Sequence, residues 1–170
     1  KWRKINNKNL FDEFCLTKAL FIKESRGASI TVLNVGKSEN DSILRKALAI
    51  GADNAIRIDA EANESLSVAS LISNYIKDKE YDIIFCGKES IDYNGGKIPG
   101  FLSSILNIPF INACVGLELE NEFLITKNEI DDGIQTSKCQ KPIIIAGQKG
   151  LVEEKDYNRI VDPSKMIYPS

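Results

Sequence analysis

The sequence predicts an α/β fold built on a parallel sheet with helices on both faces, and three observations lead there. Short β-branched apolar runs end in glycine, as in S-I-T-V-L-N-V-G at 29–36 and Y-D-I-I-F-C-G at 81–87. Segments of helical periodicity separate those runs, so strand and helix alternate three times over residues 29–106. Beyond Pro109 the apolar period becomes two, which predicts an antiparallel hairpin near the C-terminus.

Taken in order, residues 29–36 read as a buried parallel strand whose terminal Gly36 feeds a ligand-facing loop. Residues 38–41 offer caps for a helix in which Ile43, Leu44, Ala47, Leu48 and Ile50 recur at helical spacing, and Gly51 stops it. A second short strand spans 55–58, and after the loop 59–65 a second helix is lined on one face by Leu66, Ala69, Ile72, Tyr75 and Ile76. The strand at 81–87 follows, then a polar loop and a helix over 100–106. V-G-L-E-L-E and F-L-I-T-K-N-E-I flank Asn121 and Glu122 as the two strands of the hairpin, and P-I-I-I-A-G at 142–147 is a last buried strand. Residues 148–170 are charged, contain Pro163 and Pro169 and show no period. The expected organisation is one three-layer, Rossmann-like domain over 1–147 and an extended arm over 148–170. In such a fold ligands sit beyond the carboxyl ends of the strands, here the loops 36–38 and 87–99.

Composition narrows the function. The 170 residues are 43% apolar and 27% charged, enough apolar chain for one core, and 22 basic against 24 acidic residues leave no basic track for nucleic acid. No run is long and apolar enough to span a bilayer, and the first residues hold no apolar signal core, so a cytoplasmic protein is expected. Four dispersed cysteines form no C-x-x-C pair, and no histidine is present to complete a metal site. The same absence removes every Ser-His or Cys-His nucleophile, so a hydrolase is not expected.

One loop carries ligand chemistry. G-K-E-S-I-D-Y-N-G-G-K-I-P-G, at 87–100, lies between a strand and a helix. Gly95 and Gly96 let backbone N–H groups approach a phosphate, the helix start adds partial positive charge, and Lys88 and Lys97 add full charges. It is neither a Walker A sequence nor G-x-G-x-x-G, and a tight turn over Asn94, Gly95 and Gly96 without any ligand is the competing reading.

Over about residues 9–155 the chain resembles the beta subunits of electron transfer flavoproteins, in their bacterial branch. N-L-F-D-E-F at 9–14 is similar to the family's N-P-F/Y-D-E, and L-R-K-A-L-A-I-G-A-D at 44–53 to its L-R-x-A-L-A-M-G-A-D. G-K-E-S-I-D at 87–92 is similar to G-K-Q-A-I-D, E-I-D-D-G at 129–133 to E-I-D-G-G, and G-Q-K-G-L-V-E-E-K-D at 147–156 to the bacterial wording. The resemblance implies an adenine-nucleotide-binding domain that acts as an electron carrier and is not itself an enzyme. It implies an alpha subunit that holds most of the FAD, AMP or a second FAD in the beta-subunit pocket, an acyl-CoA or similar dehydrogenase as donor, and a membrane oxidoreductase as acceptor. The implied cofactor-binding positions are Asn9, Leu10, Phe11, Asp12, Val35, Gly36, Asp92, Tyr93, Asn94, Gly95, Gly96, Lys97, Ile98, Pro99 and Gly100, with Phe11 near the flavin.

Three features depart from the family pattern. Gly96, Lys97, Ile98 and Pro99 stand where the family reads N-Q-T-G, so a phosphate there would lean on backbone N–H groups and Lys97. The family's leading buried strand has no counterpart in the mostly charged or polar residues 1–8, so either residues are absent from this sequence or the sheet is one strand short. In the tail, D-Y-N-R-I-V-D-P-S-K-M-I-Y-P-S stands in place of the family's partner-recognition loop and basic C-terminal arm, and Ile160 and Val161 are its apolar candidates for partner docking; covering the domain's own core is the alternative. Two other functions compete: a stand-alone adenine-nucleotide sensor of the stress-protein kind, and an enzyme using Lys88, Asp92 or Tyr93.

Overall fold

The computed structural model describes residues 10–61, 63–87 and 97–153, with backbone alone at 10–13. In chain order these form α1 (Leu10–Arg26), β1 (Thr31–Gly36), a 3-10 turn (Ser38–Asn40), α2 (Asp41–Ile50), β2 (Asn54–Asp59), α3 (Ser65–Ile76), β3 (Ile83–Gly87) and α4 (Ile98–Leu106). Four strands follow: β4 (Phe110–Glu120), β5 (Phe123–Ile130), β6 (Gly133–Gln140) and β7 (Ile143–Gly147). The mixed α/β class is as the sequence predicts.

The strands make two sheets. β1 and β2 pair in parallel, and β3, β7, β4, β5 and β6 lie in that spatial order in a second sheet. β3, β7 and β4 are parallel; β4, β5 and β6 form an antiparallel meander. The expected hairpin is therefore the first two strands of three, turning at Asn121, whose φ of 54° is the left-handed conformation that short hairpin loops require.

Period two along β7 decides how the helices attach. Ile143 and Ile145 pack with Cys15 of α1, Ile83 and Phe85, whereas Ile144 packs with Ala69 of α3, Leu102 of α4, Ile84 and Cys86. Alternate side chains of the same strands thus meet helices on opposite faces, and all five residues of β7 are buried. On the other sheet, Leu20 of α1 joins Ala47 of α2, Val32 and Ala52. The chain beyond β7 stays in the core for a few residues, since Leu151 and Val152 are buried and Leu151 joins Cys114 and Leu124.

One polar clasp locks α1 to the other end of its cluster. Lys23 Nζ donates to Asp53 Oδ1 at 2.6 Å and to the Gly51 carbonyl at 2.9 Å, and the second Asp53 oxygen accepts the Ile30 backbone N–H at 2.8 Å. The ion pair is about one-third exposed and is worth little alone; the carboxylate that holds a backbone donor is worth more. Asp53→Ala is expected to lower stability by about 2 kcal/mol, read as a shift in the urea midpoint at unchanged slope.

Cys114 illustrates the fate of the thiols. It is fully buried, its Sγ donates to the Gly116 carbonyl at 3.2 Å, and burial pushes its pKa up, against smaller opposing effects from backbone hydrogen bonds and Lys18. A raised folded value favours the neutral thiol, so the stability it contributes is intact below the unfolded pKa and is lost as pH rises through the folded one. Cys114 should resist a disulfide reagent at pH 8 until the protein is unfolded, as peptide mapping of the labelled sites would show.

Candidate functional site

β1 and β3 are not hydrogen-bonded to each other; a cavity of about 1000 Å³ separates their facing edges. Residues 29–35 line one side and Ile83, Phe85, Cys86 and Gly87 line the other, with Ala19 and Ile22 of α1 and Val68 and Ile72 of α3 above and below. Consecutive residues of a strand line a cavity only when its edge faces that cavity, so among the described residues the two sheets meet at a seam between β1 and β3. The seam runs along the strands, and its carboxyl-end mouth is where Asn34, Val35, Cys86, Gly87 and Ile98 come together.

This mouth gathers part of the predicted site. Val35 is buried at the end of β1, beside Gly36. Lys97 precedes α4 and is exposed, Ile98 opens the helix and lines the cavity, Pro99 is fully buried, and at Gly100 no described residue lies within 4 Å of where a Cβ would stand. The helix begins two residues earlier than the periodicity predicts, because Pro99 sits in its first turn, where proline's fixed φ suits a helix start. Its first turn carries no acidic residue, and Lys97 makes no side-chain cap hydrogen bond. The backbone of Leu10, Phe11 and Asp12 opens α1. Asn9, Asp92, Tyr93, Asn94, Gly95, Gly96, Lys88, Ile160 and Val161 lie outside the described residues.

The turn after β1 contains residues that periodicity does not single out. The predicted cap at 38–41 becomes a 3-10 turn followed by α2, and the Asn40 side chain, instead of capping the helix, donates to Asn34 Oδ1 at 3.1 Å. A Cβ at Gly36 would overlap that Asn40 amide, so the glycine serves the turn itself. From β2, Arg57 Nε donates to Asp41 Oδ1 at 2.7 Å and Nη1 to the Gly36 carbonyl at 3.3 Å. Only the turn residues at 36–38 hinted at this from sequence; the arginine comes from a neighbouring strand.

Among the described residues no helix is long and apolar enough to cross a membrane, and no group of three or more His, Cys, Asp or Glu is placed to hold a metal ion.

Comparison with known proteins places this geometry. Residues 5–163 match the model of the electron transfer flavoprotein domain. The chain is 30% identical over 151 residues to the electron transfer flavoprotein subunit beta of Bacillus subtilis, covering 86% of this chain and 59% of the relative. It is 29% identical over 143 residues to the subunit of the same name from Thermoanaerobacterium thermosaccharolyticum, covering 82% and 55%. It is 25% identical over 140 residues to the acryloyl-CoA reductase electron transfer subunit gamma of Anaerotignum propionicum, covering 79% and 52%. The chain thus spans between about half and three-fifths of the length of these relatives.

Proposed function

The chain belongs to the electron transfer flavoprotein domain family, and on that premise we propose that it is the beta-subunit part of a heterodimeric electron carrier. In this reading an alpha subunit supplies most of the FAD site. The beta chain contributes Phe11 near the flavin, while Asn9, Leu10, Phe11 and Asp12 join Val35 and Gly36 around the adenine nucleotide, and electrons pass from an acyl-CoA or similar dehydrogenase to a membrane oxidoreductase. The protein acts in the cytoplasm as a carrier and has no reaction of its own. Ile160 and Val161 help dock the alpha subunit, as part of an arm over 148–170 that follows the domain over 1–147. The two sheets are parts of one three-layer, Rossmann-like arrangement.

The observation that carries the reading is the convergence of the ends of β1 and β3 and the start of α4 on one mouth, within a chain whose residues 5–163 match the family. An adenine nucleotide, AMP or the corresponding half of a second FAD, fits that mouth chemically. Val35 offers strand-end backbone, the helix start offers backbone N–H groups with no acidic residue in its own first turn, Gly100 leaves room for close approach among the described residues, and Lys97 brings a cation. Asp92, Tyr93, Asn94, Gly95 and Gly96 complete this loop in the proposal, replacing the hydroxyl and amide that Gly96–Lys97–Ile98–Pro99 lacks. FAD, bound between subunits, supplies the redox chemistry; this chain's residues orient and shield it.

Co-expression with the alpha subunit and size-exclusion chromatography with visible detection tests the assignment. A one-to-one complex carrying flavin absorbance is expected; a flavin-free monomer or homodimer that binds ATP unaided would overturn it in favour of a nucleotide sensor.

A further inference from the structure

The turn that ends β1 is fastened from the neighbouring strand chiefly by Arg57, beside an exposed ion pair of Asp59 with Lys37 at 3.5 Å. Arg57 stands on β2, opposite Asn34 in the parallel register, and its side chain is 25% exposed. Its guanidinium gathers three oxygens: Asp41 Oδ1 at 2.7 Å from Nε, the Gly36 carbonyl at 3.3 Å from Nη1, and Asp59 Oδ1 at 3.2 Å from Nη1. Those oxygens belong to the first residue of α2 and to the last residues of β1 and β2. A planar guanidinium with donors in a fixed fork holds several acceptors in one relation, which a flexible ammonium does not. Because the peptide is planar and trans, fixing the Gly36 carbonyl also fixes the direction of the Lys37 N–H across the same bond.

The Asn34 to Asn40 hydrogen bond braces the same turn from within, using the space that Gly36 leaves. Asn34 and Val35 line the cavity mouth, whereas Arg57 does not line the cavity. Arg57 therefore touches the residues behind the mouth without reaching the space in front of it.

We propose that Arg57 is a positioning residue for the adenine nucleotide: by fastening the Gly36 carbonyl to the start of α2, it sets the strand end at Val35 and Gly36 against which the nucleotide lies. This rests on the nucleotide reading above and goes beyond it, since it places affinity in a residue that makes no contact with the ligand. A shift beyond about 0.5 Å at such a strand end is enough to weaken binding, because recognition groups must be held within about that distance of their productive geometry.

The test is calorimetric titration of AMP into the full-length protein, in complex with its alpha subunit and stripped of bound nucleotide. Wild type, Arg57→Gln, Arg57→Lys and Asp53→Ala are compared, with thermal midpoints measured without ligand. Asp53 braces the opposite end of β2, so its variant reports what lost stability alone does to affinity. Arg57→Gln is expected to weaken AMP about tenfold, Arg57→Lys to recover part of the loss, and Asp53→Ala to lower the midpoint at unchanged affinity. Equal affinity in wild type and Arg57→Gln would overturn the proposal while leaving the nucleotide reading standing. Parallel losses in Arg57→Gln and Asp53→Ala that track their midpoints would also overturn it, as a stability effect. No AMP binding by the wild type would bring down the nucleotide reading itself, and the proposal with it.

Discussion

Ile145→Ala is expected to destabilise the protein by about 4 kcal/mol, the largest effect of any single truncation considered. Ile145 is wholly buried at the middle of β7, between Phe85 on β3 and Ile111 on β4, and it packs with Cys15 of α1. Removing three carbons there forfeits their transfer free energy and leaves a cavity. Rigid strands on both sides and a helix above cannot collapse into it, which places the cost toward the upper part of the range for such truncations. Ile145→Val should cost about 1 kcal/mol, because it deletes one methylene and keeps the branched shape. Urea unfolding of the three proteins measures both; a loss under about 1 kcal/mol for the alanine variant would show that β7 is not enclosed between β3 and β4.

Gly147→Ala is expected to be the second largest, at about 2–3 kcal/mol, and for the opposite reason. Gly147 ends β7, beside Gly87 on β3, and a Cβ there would overlap the Cys15 sulfur and approach Leu151 Cδ2 at 3.0 Å. Cys15 cannot easily yield, since it is buried at 3% exposure and its Sγ donates to the Cys86 carbonyl at 3.5 Å. Overpacking of this kind forces backbone or rotamer shifts. Cys15→Ala removes the obstructing sulfur, so the double variant should recover more than 1 kcal/mol of the cost of Gly147→Ala, a coupling that a double-mutant cycle reads directly. Additive costs would show that the two residues do not meet.

The parts of the fold that the sequence reveals are those where burial is one-sided or complete. β1, β3 and β7 are apolar runs ending in glycine, α2 and α3 carry a clear apolar stripe, and each lies close to where the pattern puts it. α1 escapes the same reasoning. Phe14, Cys15 and Leu20 are buried and Leu16, Ala19, Phe21 and Ile22 are half-buried, so apolar residues run around much of the helix and no polar face sets a period. β6 escapes for the converse reason: G-I-Q-T-S-K-C-Q is mostly polar and mostly exposed, and its pairing with β5 rests on backbone hydrogen bonds that no hydropathy pattern records. The two-residue turn at Asp131 and Asp132, before Gly133, was the available signal.

Of the candidate site, the described part is the cavity mouth. Glycines at strand ends and the loop before α4 pointed to the carboxyl end of the sheet, where Val35, Gly87 and Ile98 do meet. Arg57 was not legible in the sequence, because its role depends on the parallel register that lays β2 against β1. The ordered motifs supplied the family, and the match over residues 5–163 bears that out.

The central claim is that this chain holds an adenine nucleotide and shares a flavin with a partner subunit. Mass spectrometry of the small molecules released by unfolding the purified heterodimer tests it most directly. The account predicts FAD together with AMP in equal amounts, or two FAD for each heterodimer, with the AMP or second FAD lost when Gly100→Val fills the space at the start of α4. Release of neither flavin nor adenine nucleotide would contradict it.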